Sequence, residues 1–365
     1  MNKNMLDLYV DYLICSTAPT TATGLSRVTS YAISHDKVTR FLSKEDFQPA
    51  GVWEFAKQLI KPLGNQQDVD GVLILDDSIE EKPYTDENEI IAWHYDHCKG
   101  RTIKGINFIS ALYHTGKASI PVSYALVKKT EIVENKKTKK KSRKSLISKH
   151  EHFRNLIGVA IKNNVNFTTV LADSWYASAE NMCYIKNAIK KDFIMPLKEN
   201  RRVFLSEENL AANDFVNIKE LELGKSVLVR LEGVDFPLRL TCQVFKDGDA
   251  STGTLYLVSS NIELTDEQIL TTYQRRWKVE EYHKSLKNNA SLASSPTKTV
   301  RTQSNHLFAS ICAFIRLESI SMMKKINHFK LKEIIYLEAV KTAFRELYRL
   351  KCAILQTAKS SSAPA

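Results

Sequence analysis

None of the six cysteines, Cys15, Cys98, Cys183, Cys242, Cys312 and Cys352, forms part of a Cys-x-x-Cys pair. Their scatter argues against a disulfide framework and fits reduced, mostly buried thiols of a cytosolic protein. No apolar run approaches the length of a membrane span, no secretory signal opens the chain, and no internal repeat is visible. A membrane protein and a repeat array are therefore not expected. Acidic residues are in deficit, 41 against 52 basic ones, for a formal net charge of +11 and a pI near 9.2. A chain this basic points to a polyanionic partner, most often nucleic acid. Hydrophobic residues make up 43% of the 365, enough for one large domain with attachments or for two.

Glycine and proline are absent from Tyr273 to Lys287, YQRRWKVEEYHKSLK, which is dense in Lys, Arg and Glu and predicts a helix. On a continuous helix Tyr273, Arg276, Glu280 and Lys287 fall within an arc of roughly 60°. That face reads either as a solvated surface with an Arg276–Glu280 ion pair, or as a metal-binding carboxylate among phosphate-binding groups. The rest of the chain has to decide.

Residues 1–66 read as short helices, with Ser34 as the N-cap of one that carries Lys37 and Arg40. The pair around a tight turn is either a helix-turn-helix for DNA or a helical cap on the main body. Val72-Leu73-Ile74-Leu75 runs into Asp76-Asp77-Ser78, the pattern of a buried strand that delivers a carboxylate. An acidic polar stretch leads to Asp96, and two further strands follow, Arg101 to Tyr113 and Ile120 to Val127. Lys136 to Lys144 contains Lys139, Lys140 and Lys141 and reads as a solvated loop that also serves as a phosphate-contacting arm. A helix near Leu146 to Lys162 precedes a second apolar strand ending in an acid, Phe167 to Asp173. Residues 199–261 alternate and carry turn glycines, a β-rich insertion without tryptophan. Thr265 and Gln268 form a capping box for the Tyr273–Lys287 helix. Apolar helices near His306–Lys324 and Leu331–Leu355 close the chain, with SSSAPA as a disordered tail.

This order predicts an α/β fold, a mixed sheet flanked by helices that gathers Asp77, Asp173 and Glu280. Strand alternation sends only one of Asp76 and Asp77 towards the cleft. Three converging carboxylates suit hard divalent ions, and two such ions drive phosphodiester displacement. His94-Tyr95-Asp96-His97-Cys98 lacks a second ligand pair at finger spacing, so structural zinc is the weaker reading. His283, one turn from Glu280, reads as a contact to DNA or to a ligand-bearing residue.

On these motifs the chain resembles bacterial insertion-sequence transposases of the DDE type, in the superfamily of insertion-sequence families 4 and 701. Their Tyr-x2-Arg-x3-Glu-x6-Lys signature is matched by Tyr273, Arg276, Glu280 and Lys287, their DD[ST] by Asp76-Asp77-Ser78 and their Ala-Asp by Ala172-Asp173. The resemblance implies a ribonuclease-H-like core, with Asp77 (next to Ser78), Asp173 and Glu280 as catalytic metal ligands. Two Mg²⁺ ions, replaceable by Mn²⁺, would serve each site. Tyr273, Arg276 and Lys287 would position phosphates, joined by Lys139, Lys140 and Lys141. Trp277 either stacks on bases or packs beneath the helix. The implied layout is a DNA-binding helical domain at 1–66, core at 67–198 and 262–326, β-rich insertion at 199–261, and a helical segment with tail at 327–365. The implied function is cutting inverted-repeat ends of double-stranded DNA and joining them to a target, as a homodimer, in the cytoplasm at the nucleoid. A structure-specific nuclease and a silent DNA-binding derivative are the alternatives.

Overall fold

The first strand, β1 (Val72–Glu81), is buried on both faces over its first four residues, which explains the unbroken apolar run. The computed structural model describes residues 3–64, 70–97, 99–134, 136, 139, 141–221, 226–246 and 252–361. Beside β1 run β2 (Ile91–Asp96), β3 (Arg101–Thr115) and β4 (Ala118–Leu126). β5 (Glu131–Glu134) and β6 (Lys141–Lys144) form a separate hairpin. β7 (Thr169–Ala172) and β8 (Asp192–Leu197) return to the main sheet; β9 (Arg202–Val203) and β10 (Val216–Asn217) pair only with each other. β11 (Val227–Val229), β12 (Leu238–Lys246) and β13 (Thr252–Ser259) complete the strands.

The sheet runs β11-β12-β13-β8-β7-β1-β3-β2, with β4 also on β3. β1 pairs antiparallel with β3 and parallel with β7, and β7 pairs parallel with β8, so the sheet is mixed. The long β3 holds β2 along its first half and β4 along its second, on the edge away from β1. β3 passes so close to β1 that a Cβ on Gly105 would lie 2.3 Å from the Glu80 carbonyl oxygen, so that position requires glycine. Two expectations change here. The polar stretch before Asp96 contains β2. The β-rich segment joins the central sheet, because β13 pairs with β8 over Tyr256–Ser259.

Helices α1 (Lys3–Cys15), α2 (Ala22–Val28), α3 (His35–Lys44) and α4 (Val52–Gly64) precede the sheet. α5 (Lys149–Lys162), α6 (Ala179–Cys183) and α7 (Glu207–Ala211) lie between strands, and α8 (Asp266–Gln274), α9 (Trp277–Asn288), α10 (Val300–Lys324) and α11 (His328–Ser361) follow them. Ser34 caps α3, and Thr265 with Gln268 forms the capping box of α8. α10 is long and apolar enough to cross a membrane by length and composition, although no such run was expected; 61% of that window is buried inside the protein. It is the helix around which α1, α3, α4 and α11 gather.

Polar side chains of α10 fasten the first helices to it. Asn305 accepts from the Phe47 N–H at 3.1 Å and donates to the carbonyls of Leu42, 2.9 Å, and Glu45, 2.7 Å. His306 Nε2 lies 3.1 Å from the Ser291 carbonyl, so it carries the proton and Nδ1 accepts from Tyr9 Oη at 2.9 Å. Tyr9, Phe41, Phe47 and Phe308 belong to the same hydrophobic cluster as β1 and β7. Asn305→Ala orphans three backbone groups, and we expect a loss of about 2–4 kcal/mol in a urea melt; an unchanged midpoint would refute this anchoring.

Candidate active site

The parallel register pairs Leu75 with Ala172, so the next residues, Asp76 within β1 and Asp173 just past the end of β7, lie side by side. Alternation then separates the two β1 acids. Asp76 faces α9, where one oxygen each from Asp76 and Glu280 and one ring nitrogen of His283 all lie within 4.8 Å of one another. Asp77 faces the other way. It accepts from Lys149 Nζ at 2.6 Å, Tyr176 Oη at 2.8 Å and Asn107 Nδ2 at 3.0 Å. The acid expected in the cleft, Asp77, is thus held by three donors, and it is Asp76 that neighbours Glu280. The motif's residue types do not reveal which face of β1 meets α9; packing decides it. Asp173 is exposed, accepts from the Ser174 N–H at 2.5 Å, and lies outside the group of three.

The central stretch is two helices. α8 ends at Gln274, α9 begins at Trp277, and the Arg276 N–H bonds to the Tyr273 carbonyl at 2.8 Å in a tight turn. The single arc expected for the four motif residues is thus broken after Tyr273. Tyr273 is buried, with the Arg276 guanidinium 5.9 Å from its ring centroid. Arg276 lies between carboxylates, 3.5 Å from Glu280 and 4.0 Å from Asp76. Arg275, which sequence reasoning passed over, fastens the turn to the entry of β1 by donating to the carbonyl and carboxylate of Asp70. Lys287 donates to the Ile79 carbonyl at 2.7 Å and so ties the end of α9 to β1. Trp277 is 62% exposed, which does not fit packing beneath the helix.

The expected basic loop is the β5–β6 hairpin, with Lys141 and Lys144 exposed. Lys139 lies 3.8 Å from Glu134; Lys140 falls outside the described residues. A cleft of about 560 Å³ beside Asp173 is lined by Trp175, Lys198, Arg201 and Arg202. The larger cavity, about 770 Å³ between Phe47, Tyr124 and Val300, lies apart from these acids. His94 is buried and His97 packs on Trp175, and neither joins a metal-competent group among the described residues.

Burial, reinforced by the charges of Asp77 and Glu280, pushes the Asp76 carboxyl up to about 8, and Arg276 offsets this only in part. Burial also acts upward on Asp77, but the Lys149 ammonium and the bonds from Lys149, Tyr176 and Asn107 outweigh it and leave Asp77 below its ordinary value. His283 is driven down to about 3, by burial first and then by Lys287, so its ring is neutral. Arg276 binds its proton more tightly than usual: burial opposes this, but Tyr273, Asp76, Glu280 and Asp173 prevail.

Hard carboxylate oxygens crowded until one stays protonated at neutral pH fit a divalent cation, which would relieve their repulsion.

Residues 1–214 match the model of a family described as "DDE superfamily endonuclease". The chain belongs to that family. The match includes Asp76, Asp77 and Asp173 and stops before Glu280. No curated protein matches the chain. Among solved structures it overlaps the "Drosophila P element transposase strand transfer complex" at 12% identity and a TM-score of 0.23, over 46% of this chain and 33% of that one. The chain thus spans about a third of that structure's length.

Two substitutions separate the two β1 acids in metal-free protein. The folded state raises Asp76, so its stabilising contribution is complete below the ordinary carboxylate range and fades as pH rises towards 8. Asp76→Asn should then raise the melting temperature in chelator, by nothing near pH 4 and by a few degrees above pH 8. A gain independent of pH would contradict the crowding. The folded state lowers Asp77, whose contribution is present above the ordinary range and lost in acid. Asp77→Asn should cost about 1–3 kcal/mol at pH 7, with the deficit shrinking as the wild type acidifies.

Proposed function

We propose that this DDE endonuclease is a transposase of the insertion-sequence family 4 and 701 kind, which cuts the ends of a DNA element and joins them to a target. The observation that carries the reading is the convergence of Asp76 on β1 and Glu280 on α9 around Arg276, with Asp173 leaving the strand next to β1. In this reading Asp76, Asp173 and Glu280 hold Mg²⁺ or Mn²⁺, two ions per site. When bound, such ions supply Lewis-acid charge to the attacking and departing oxygens of a phosphodiester displacement.

The chain's own groups bind and orient the DNA. Arg276 pairs with the acids in the free protein and turns to a phosphate when a cation takes over their neutralisation. Lys287 and Arg275 hold α9 and its turn against β1. Asp77 fixes the strand through Lys149, Tyr176 and Asn107 and takes no part in the chemistry. Trp277 and Trp175 are open to unpaired bases. Lys139, Lys141 and Arg143 on the hairpin, and Lys37 and Arg40 on α3, meet phosphates further away. α11 exposes Tyr336, Leu337, Phe344, Leu347 and Ile354, apolar surface suited to a homodimer on DNA. Residues 1–66, in this reading, form the end-binding part.

Nicking of supercoiled plasmid tests the chemistry. Wild type should nick with Mg²⁺ or Mn²⁺ and not with chelator. Asp76→Asn and Glu280→Gln should each lose at least about 100-fold in rate while binding DNA as well as wild type without metal. Asp77→Asn should keep nicking at temperatures where it is folded. Wild-type rates for Glu280→Gln would remove the assignment. Joining of precut 3′-OH ends to a target separates a transposase from a nuclease, and binding without nicking would mark a silent derivative.

A further inference from the structure

His283 follows Glu280 by three residues on α9, so both side chains lie over the same face. It is 5% exposed, and its Nε2 is buried without a hydrogen-bond partner among the described residues. The ring is braced by the edge of Phe108, with centroids 5.7 Å apart, and by Tyr282 at 5.2 Å. A buried ring nitrogen without a partner is destabilising. Packing on Phe108 explains the position of the ring but leaves that cost unrecovered. A ring nitrogen of His283 also lies within 4.8 Å of oxygens from both Asp76 and Glu280. A Glu-x-x-His pair on one helix face is an arrangement by which helical proteins present mixed carboxylate and imidazole ligands to metal ions.

We propose that His283 is a nitrogen ligand of the divalent cation held by Asp76 and Glu280. The inference rests on the metal-dependent reading above and adds to it a donor of a different kind. Two carboxylates with one imidazole form a mixed set. Carboxylate and water suit Mg²⁺, whereas an imidazole favours transition metals, in the order in which Mn²⁺ is the weakest of its row. The site should therefore hold Mn²⁺ more tightly than Mg²⁺ by a margin that depends on His283. The consequence for the reaction is that the cation nearest Glu280 would be anchored to α9 at two points, fixing it relative to the turn before that helix, which carries Arg276.

The test uses full-length protein without DNA and Mn²⁺ as the probe. Pulsed electron paramagnetic resonance of the Mn²⁺ complex should show coupling to a directly bound imidazole nitrogen, with the pattern changing on ¹⁵N-histidine labelling. His283→Gln should lose that coupling, bind Mn²⁺ at least about tenfold more weakly and discriminate less between Mn²⁺ and Mg²⁺. Mn²⁺ bound in an Asp76- and Glu280-dependent way without nitrogen coupling would overturn the proposal and leave the carboxylate site standing. Mn²⁺ binding that survives loss of both Asp76 and Glu280 unchanged would overturn the site and this ligand together. If His283→Gln fails to fold, the wild-type spectrum still shows whether a nitrogen is bound, and variants of Asp76 and Glu280 show whether that ion is theirs.

Discussion

Like-charge crowding in the middle of β1 is the constraint to which the surrounding structure answers. Asp76 is buried beside Asp77 and the half-exposed Glu280, and burial together with their charges keeps it protonated near neutral pH. Bare carboxylates at these distances repel strongly in a partly desolvated site. Three devices make the arrangement tenable. Arg276 stands between Asp76 and Glu280, Asp77 is turned away into a cage of donors, and the proton on Asp76 removes one charge. A fold that tolerates such crowding in the free protein is one whose site gains most from a cation.

The two adjacent aspartates show how one strand divides its work. Alternation gives them opposite faces, and the elements on those faces give them opposite fates. Asp77 meets Lys149 at the start of α5, becomes a structural anion and is held below its ordinary value. Asp76 meets α9, is buried beside Glu280, and is raised in spite of a shared arginine and the Asp77 N–H. The same sequence pair therefore yields one residue that stabilises the fold and one whose ionisation works against it, the usual mark of a site shaped for chemistry.

Placing α9 against β1 takes several fastenings spread over the chain. Arg275 grips Asp70 before the strand begins, and Lys287 grips the Ile79 carbonyl near its end. The tight turn between α8 and α9 swings Arg276 over Tyr273 and towards the acids. Behind them, β11 to β13 extend the sheet through β8, so the segment that interrupts the strand-helix order reinforces the platform. α10 holds α1 and α3 on the same core through His306 and Asn305.

Much of this was legible in residue order, because burial and capping are local. Val72–Leu75 announces a strand buried on both faces, Ser34 and Thr265 announce helix starts, and a strand ending in Asp173 announces its acid. Spacing also puts Glu280 on a helix face with Arg276, without deciding between an ion pair and a metal ligand. Other features depend on partners far away in the chain. The break at Arg275–Arg276 has no glycine or proline to signal it and arises from the turn's contacts with Tyr273 and Asp70. The joining of β13 to β8 depends on an edge that residue patterns do not display. His283 was visible as a neighbour of Glu280, but its buried, unpartnered nitrogen emerges only once Phe108 packs against it. The choice between Asp76 and Asp77 is the clearest case. A period of two dictates that they point apart, yet which face receives α9 is set by how the sheet and helices stack, and tertiary structure alone decides that.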